Sequence, residues 1–186
     1  WYPSSASRVR GIDACSQEIG CRPEVFAPVF RLLGCHSASE FKDGVEIPLP
    51  KLGKTYHVGE DFLDLVDGLR AIQEAIYFLN LDCGDRLGHA IALGIDVDNW
   101  YAGKQNRIAL PVQDLLDNLA WFCHALQHYK VPDSDLLRRE LNKEFEYWFR
   151  IVYLNYMQDE DMQVIMQSAE QEYQNDETKR NYHKHL

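Results

Sequence analysis

The chain has 186 residues, 46% of them hydrophobic, which suits one globular domain, alone or with an appendage. Its 19 basic and 29 acidic side chains give a net charge of −10, so direct binding to nucleic-acid backbones is not expected. The sequence contains neither an apolar run of the roughly 20 residues that span a bilayer nor a signal-peptide pattern at its start, and we expect a cytoplasmic protein that does not contact membranes.

The five cysteines are odd in number and form no CxxC pair. This pattern argues against a disulfide framework and against a cysteine-type zinc site, and predicts reduced, mostly buried thiols. Because the chain begins at Trp1 without an initiator methionine, we also expect it to be a piece of a longer protein.

The first half of the chain alternates predicted strands with predicted helices. β-Branched residues predict a strand over residues 8–13 and another over 54–58, separated by a helix that begins at Pro23 and by turn residues from 43 to 53. An amphipathic helix is predicted over 62–79, with Asp61 as its cap, followed by a short strand and its exit loop over 86–91. Helices between successive strands favour a parallel sheet.

The second half of the chain is predicted to be helical. Two amphipathic helices flank residues 132–134, and a more polar helix is predicted over 158–179. The apolar stripe of the second helix, expected to pack within the chain or between subunits, consists of Leu141, Phe145, Trp148, Phe149, Val152 and Tyr156. His124 and His128 lie one turn apart without the glutamate of HExxH, and His183 and His185 lie in a charged tail, so neither pair is expected to bind metal.

Chemically reactive side chains end each predicted strand. Asp13 ends the first strand, His57 is followed by Gly59 and Glu60 at the end of the second, and His89 ends the third. The carboxyl ends of parallel strands are where α/β proteins gather catalytic groups. An imidazole and a carboxylate at this spacing suit metal binding and proton transfer, and a glycine between them permits a tight bend and close approach of a ligand.

Each of these residues also has a simpler structural interpretation. Glu60 can be a carboxylate that stabilises a helix N-terminus, and His89 can bond a backbone group at a strand end. Asp13 can orient a neighbour instead of carrying a proton.

Residues 57–60, HVGE, then an amphipathic helix and GDRLGH at 84–89, resemble the adenosine deaminase family of metal-dependent hydrolases. The (β/α)8 barrels of that family carry HxGE after the fifth strand and an R-[LI]-G-H segment at the sixth. The stretch GID at 11–13 with Glu18, and the helix from Pro23, resemble the family's fourth strand with its loop and helix. The resemblance covers about the first half of the chain.

The resemblance implies a role for each matching residue. His57 would be a zinc ligand, Glu60 would donate a proton to a purine ring nitrogen, and His89 would position or deprotonate the attacking water. Asp13 and Gly59 would belong to the substrate site. These roles suit zinc chemistry, in which the metal activates water and ring protonation makes the amine-bearing carbon electrophilic.

The sequence also departs from the family. Ser16, assigned to the substrate site, stands where the family usually has a glycine whose backbone N–H meets the purine. The family takes further zinc ligands from an HxH on the first strand and an Asp on the eighth, and these have no counterpart here. The resemblance therefore implies Zn²⁺ in the intact protein, with its remaining ligands outside this chain.

The expected fold is α/β, with a partial (β/α)8 barrel of about three βα units over residues 1–105 and an all-helical insertion over 106–186. Such an insertion is similar to that of the deaminase of RADAR phage-defence systems. The preferred function is part of a zinc-dependent deaminase of adenosine or adenine nucleotides, inactive as this chain alone and oligomeric when intact. Two alternatives stay open: an amidohydrolase acting on another purine or nucleotide, and a non-catalytic oligomerisation module built on a barrel scaffold.

Overall fold

The structure is a computed structural model in which residues 8–15 and 17–153 are described. Within them, the residues up to Asp114 form one compact unit and those from Leu115 onward form another. Ser16, Tyr156, the predicted helix at 158–179 and the histidines at 183 and 185 lie outside the described residues. No helix in the described ranges combines the length and the apolarity needed to cross a bilayer.

The described strands all lie in the first unit. They are β1 (Gly11–Ala14), β2 (Ser39–Lys42), β3 (Val45–Pro48), β4 (Gly53–Val58) and β5 (Arg86–His89). β4 lies between β1 and β5 and pairs with both in parallel, which confirms the predicted parallel sheet. The three strands form an open sheet in the described part of the chain, so the partial barrel stays a prediction.

The five described helices are α1 (Ala27–Cys35), α2 (Leu65–Phe78), α3 (Val97–Gly103), α4 (Val112–His128) and α5 (Asp135–Tyr153). The predicted α2 is confirmed, but it begins later than expected and has Asp64, not Asp61, at its N-cap position. The carboxylate of Asp64 caps no backbone N–H and instead accepts a hydrogen bond from the hydroxyl of Tyr101 at 2.9 Å. Burial and this hydrogen bond raise the pKa of Tyr101 to about 12.

An antiparallel hairpin, β2 and β3, occupies part of the region predicted to contain only turn residues. Its two-residue turn consists of Asp43 and Gly44, both with positive φ. Asp-Gly is a favoured pair for such a turn because it adopts this backbone at little cost. The prediction of turn residues from 43 to 53 is therefore wrong for β3, and the Asp-Gly pair was the available signal.

The core of the first unit lies on one face of the sheet. Burial alternates along β4, where Lys54, Tyr56 and Val58 are buried and His57 is half-buried. The buried residues that pack together come from β4, α1, α2 and the segments after α2 and β5. They are Phe30, Tyr56, Val58, Leu65, Ala71, Ile72, Ala75, Leu79 and Ala92. Since neighbouring residues of a strand point to opposite faces, His57 lies on the face away from this core.

The second unit contains most of α4 and all of α5, the two helices predicted on either side of residues 132–134. Of the predicted stripe on α5, Leu141, Phe145, Trp148 and Val152 are half-buried and Phe149 is exposed. The thiol of Cys123 on α4 lies 3.3 Å from Oδ1 of Asn142 on α5.

The cysteines correct one prediction. No disulfide joins any of the five, but Cys15, Cys35 and Cys83 are exposed, and Cys21 and Cys123 are only half-buried. The expectation of mostly buried thiols is wrong because the exposed ones lie at element ends: after β1, at the last residue of α1, and in the turn before β5.

Candidate functional site

Two histidine–carboxylate pairs lie at the carboxyl end of the sheet. Nδ1 of His57 lies 3.1 Å from Oδ1 of Asp13, and Nε2 of His89 lies 3.3 Å from Oε2 of Glu60. The two imidazole rings are adjacent, with centroids 5.2 Å apart. The structure thus brings these four predicted site residues together, with Gly59 in the same loop as Glu60.

The ring of His57 is fixed by its neighbours on both adjacent strands. On β5, Gly88 stands opposite His57, and a Cβ added at Gly88 would lie 2.5 Å from Cδ2 of the ring. On β1, Asp13 supplies the carboxylate partner. A carboxylate oxygen only accepts, so Nδ1 is the donor in this contact when it carries a proton. A histidine that binds metal through one nitrogen commonly donates its other N–H to such a carboxylate.

The loop after β4 is held by a single carboxylate. Glu18 accepts hydrogen bonds from the backbone N–H groups of Gly59 at 2.7 Å, Glu60 at 2.9 Å and Asp61 at 3.3 Å. Gly59 has a φ of +76°, and a Cβ there would lie 2.5 Å from Cδ1 of Ile72. The loop therefore requires glycine at this position, and Glu18 fixes the backbone that carries Glu60.

The segment that carries Glu18 is anchored to α2 through Arg22. The guanidinium lies 2.7 Å from Asp67 and 3.1 Å from Glu74. Burial alone would lower the pKa of the Arg22 guanidinium. The nearby carboxylates of Glu74 and Asp67 have the larger effect, and the pKa is raised. The position of Glu18, and through it of Glu60, thus depends on ion pairs with the neighbouring helix.

A strained turn places His89 at the end of β5. His89 and Ala90 both have positive φ, 56° and 47°, which costs non-glycine residues free energy. The N–H of Ala90 donates to the carbonyl of Val58 at 3.1 Å, and that of Ala92 donates to the carbonyl of Gly59 at 2.9 Å. These hydrogen bonds connect the residues after β5 to the loop that carries Glu60. The backbone positions of His89 and Glu60 are therefore coupled.

The start of β5 is tied to β4 by Asp85. Its carboxylate accepts from the backbone N–H of Lys54 at 2.8 Å and of Asp82 at 2.9 Å, and lies 3.3 Å from the Lys54 ammonium. Burial alone would raise the pKa of Asp85, but these hydrogen bonds and the ammonium outweigh it and lower the pKa. Asp85, to which the motif resemblance assigns no role, thus ties together the two strands that set Gly88 beside His57.

Among the described residues, one group of three metal-binding side chains converges at this site. The donor atoms of Asp13, Cys15 and His57 all lie within 4.8 Å of one another. Thiolate, imidazole and carboxylate are all established zinc ligands, so this donor set fits zinc. Cys15 is not among the predicted site residues, and the available signal was its position two residues after Asp13.

A cavity of about 120 Å³ lies on the other side of β4, lined in part by Glu18, Arg22, Tyr56 and Asp61. It has room for about four water molecules. Ligand pockets for small molecules typically measure roughly 300–1,000 Å³. This cavity is therefore smaller than the pockets that typically hold small-molecule ligands.

No model of a known protein family and no curated protein matches the sequence significantly. The grounds for a function are therefore the residues themselves, their geometry and the motif resemblance.

Proposed function

We propose that this chain carries part of the active site of a zinc-dependent purine deaminase, which hydrolyses adenosine or an adenine nucleotide to its inosine form. The observation that carries the proposal is the convergence of His57, Glu60 and His89 at the ends of two adjacent parallel strands. Their order, HxGE, a helix and then GDRLGH, resembles the adenosine deaminase family. The proposal includes a partial (β/α)8 barrel, which the parallel β1-β4-β5 order supports.

His57 would hold the metal, and Asp13, whose Oδ1 lies 3.1 Å from Nδ1 of the ring, would fix its orientation. A bound zinc ion would supply a water activated at neutral pH. The contact with Gly88 leaves the ring little room to rotate. A ring held by these two contacts requires little of the binding free energy for its orientation.

Glu60 and His89 would move the protons. Glu60 would donate to a purine ring nitrogen, which makes the amine-bearing carbon more electrophilic. His89, half-exposed and 3.3 Å from Glu60, would orient the attacking water or accept its proton. The carboxylate of Glu18 would keep Glu60 in place while the substrate binds.

The resemblance assigns the other zinc ligands to barrel strands that the described residues do not include. The proposal therefore assigns catalysis to the intact protein, as a homo-oligomer, and not to this chain alone. The five free thiols support the cytoplasm as its compartment, since exposed cysteines stay reduced there. The helical second unit supports a place among the deaminases of phage defence.

The decisive experiment is the Glu60→Gln variant of the intact protein. Ammonia release is measured with adenosine, AMP and ATP in turn. Glutamine keeps the size and hydrogen bonding of the side chain but cannot donate the proton, so turnover should fall by about 10²–10⁴-fold. The zinc content should stay unchanged, because Glu60 is not assigned as a ligand.

Asp61→Asn is the matched control, since it removes the same charge from the next residue of the same loop. Its turnover should stay within a few-fold of the native value. If Glu60→Gln is also within a few-fold, Glu60 is only the ion-pair partner of His89 and the assignment is wrong. If no adenine compound yields ammonia but another purine does, the alternative amidohydrolase replaces the adenosine deaminase.

One observation favours the non-catalytic alternative, a module for oligomerisation. None of the 19 residues of α5 is buried. Its exposed apolar side chains include Tyr147, Phe149, Ile151 and Tyr153. On the helix, Tyr147 and Ile151 lie one turn apart, as do Phe149 and Tyr153, and exposed apolar surface marks an interaction site when it is contiguous.

A further inference from the structure

We infer that Cys15 completes a three-donor site for a thiophilic divalent cation, together with Asp13 and His57. The inference rests on the proposed function for the choice of zinc as the ion, whereas the convergence of the three donors does not depend on it. Neither the motif nor the resemblance assigns a ligand at Cys15.

The register of the sheet brings Cys15 to His57. Ala14, the last residue of β1, pairs with Tyr56 on β4. Cys15 directly follows Ala14, and His57 directly follows Tyr56. Cys15 lies two residues after Asp13, and the donor atoms of Asp13, Cys15 and His57 all lie within 4.8 Å of one another.

The chemistry of the donors selects the class of ion. Sulfur and imidazole nitrogen favour zinc and similar transition metals, whereas magnesium and calcium prefer oxygen ligands. A thiolate and a carboxylate would together carry two negative charges, which match a divalent ion. Binding requires that the Cys15 thiol release its proton to solvent.

Two of the three donors are accessible from solvent. Cys15 and Asp13 are exposed, so an ion can reach them from solvent. The half-buried His57 is fixed by Gly88, which gives the site one rigid donor.

Cobalt(II) added to the 186-residue chain is the probe. A cysteine thiolate bound to cobalt gives a charge-transfer absorption band in the near ultraviolet, whereas nitrogen and oxygen ligands alone do not. We expect the native chain to develop this band and to saturate at one equivalent of cobalt. The band should be lost in Cys15→Ser and retained in Cys35→Ser and Cys83→Ser, two variants that also remove an exposed thiol.

A second pair of variants tests the orientation of His57. Gly88→Ala places a Cβ against the ring and should weaken cobalt binding, whereas Gly94→Ala, whose Cβ meets nothing within 4 Å, should not. Circular dichroism checks that each variant is folded. An independent measurement is alkylation followed by mass spectrometry, in which zinc should protect Cys15 and leave Cys35 reactive.

The possible outcomes separate this inference from the proposed function. A native chain without the band, a band that survives Cys15→Ser, or a band lost equally in Cys35→Ser would overturn the site. If the band depends on Cys15 but the intact protein releases no ammonia from any purine, the metal site stands and the deaminase is wrong. If the intact protein releases ammonia from a purine but no band depends on Cys15, the deaminase stands and the metal site is wrong.

Discussion

The two units of this chain differ in how their longest helices are buried. Seven of the 14 residues of α2 in the first unit are buried, and two of them are the charged residues Asp67 and Arg70. None of the 19 residues of α5 in the second unit is buried. The first unit thus fixes its side chains internally and carries the candidate site, whereas α5 leaves apolar side chains for another surface to cover.

Charged groups inside the first unit specify position more than they add stability. Arg70 lies 3.1 Å from Asp67 and 3.5 Å from Glu74, the two carboxylates that also hold Arg22. Burial raises the pKa of Glu74, and the neighbouring guanidinium groups only partly offset it. Such a network gains little over apolar packing, but removing one partner leaves a buried charge without compensation. We therefore expect ion pairs of the first unit to respond to mutation far more than those of the second.

The largest effect is expected for Asp85→Asn. The Lys54 side chain is 8% exposed, and the other contacts of its ammonium are the carbonyl oxygens of Leu79 and Asn80. Loss of the carboxylate should lower the free energy of unfolding by about 3 kcal/mol, as for other buried pairs that lose one partner. Urea unfolding followed by circular dichroism measures this difference. Asp135→Asn on α5 is the matched control, because its ion pair is 85% exposed on the aspartate side and should contribute within about 0.5 kcal/mol.

The effect of Asp85 should also depend on pH. Its folded-state pKa lies below the unfolded value of about 3.9, so its contribution is present above that value and is lost as the pH falls through the folded pKa. The difference between the native chain and Asp85→Asn should therefore be full at pH 7 and shrink below about pH 4. A difference that stays constant down to pH 2 would mean that the carboxylate is not stabilised by its partners.

A smaller effect is expected for Glu18→Ala. The substitution leaves the N–H groups of Gly59, Glu60 and Asp61 without their acceptor, at a cost of about 2 kcal/mol, typical of hydrogen bonds to a charged group. Amide hydrogen exchange at Gly59 and Glu60 should become faster, because the loop opens more easily. Glu18→Gln keeps one acceptor oxygen and should be intermediate. Unchanged exchange in Glu18→Ala would show that the carboxylate does not hold the loop.

Much of the first unit follows from the sequence because its signals are local. The strand and helix periodicities predict β4, α2 and β5, and parallel strand ends bring His57, Glu60 and His89 together. The hairpin of β2 and β3 is missed because Pro48, Pro50 and Gly53 suggest a turn region, although Asp43 and Gly44 form a pair typical of a hairpin turn.

Other features of the site depend on contacts that no side-chain pattern encodes. Glu18 binds backbone N–H groups more than 40 residues away, and the convergence of Cys15 with Asp13 and His57 appears only in the folded chain. In the sequence, Asp85 cannot be told from an ordinary turn residue. Its hydrogen bond from the backbone N–H of Lys54 forms only in the folded chain. The deaminase activity, the zinc ion and the barrel stay predictions, because they concern groups that the described residues do not contain.

The smallest effect is expected in the second unit, from Phe149→Ser. We expect the chain to self-associate through α5, where Phe149 stacks on Phe145 at 5.8 Å and remains 37% exposed. Loss of one partly exposed ring should cost about 1.4 kcal/mol, or about tenfold in the dissociation constant. Sedimentation measures the association, and circular dichroism checks that helicity is unchanged. Tyr77→Ser on α2, 60% exposed in the first unit, is the matched control and should leave association unaffected. Equal weakening of association by both variants would show that the contact does not lie on α5. A native chain that is monomeric at micromolar concentration would contradict the oligomerisation module.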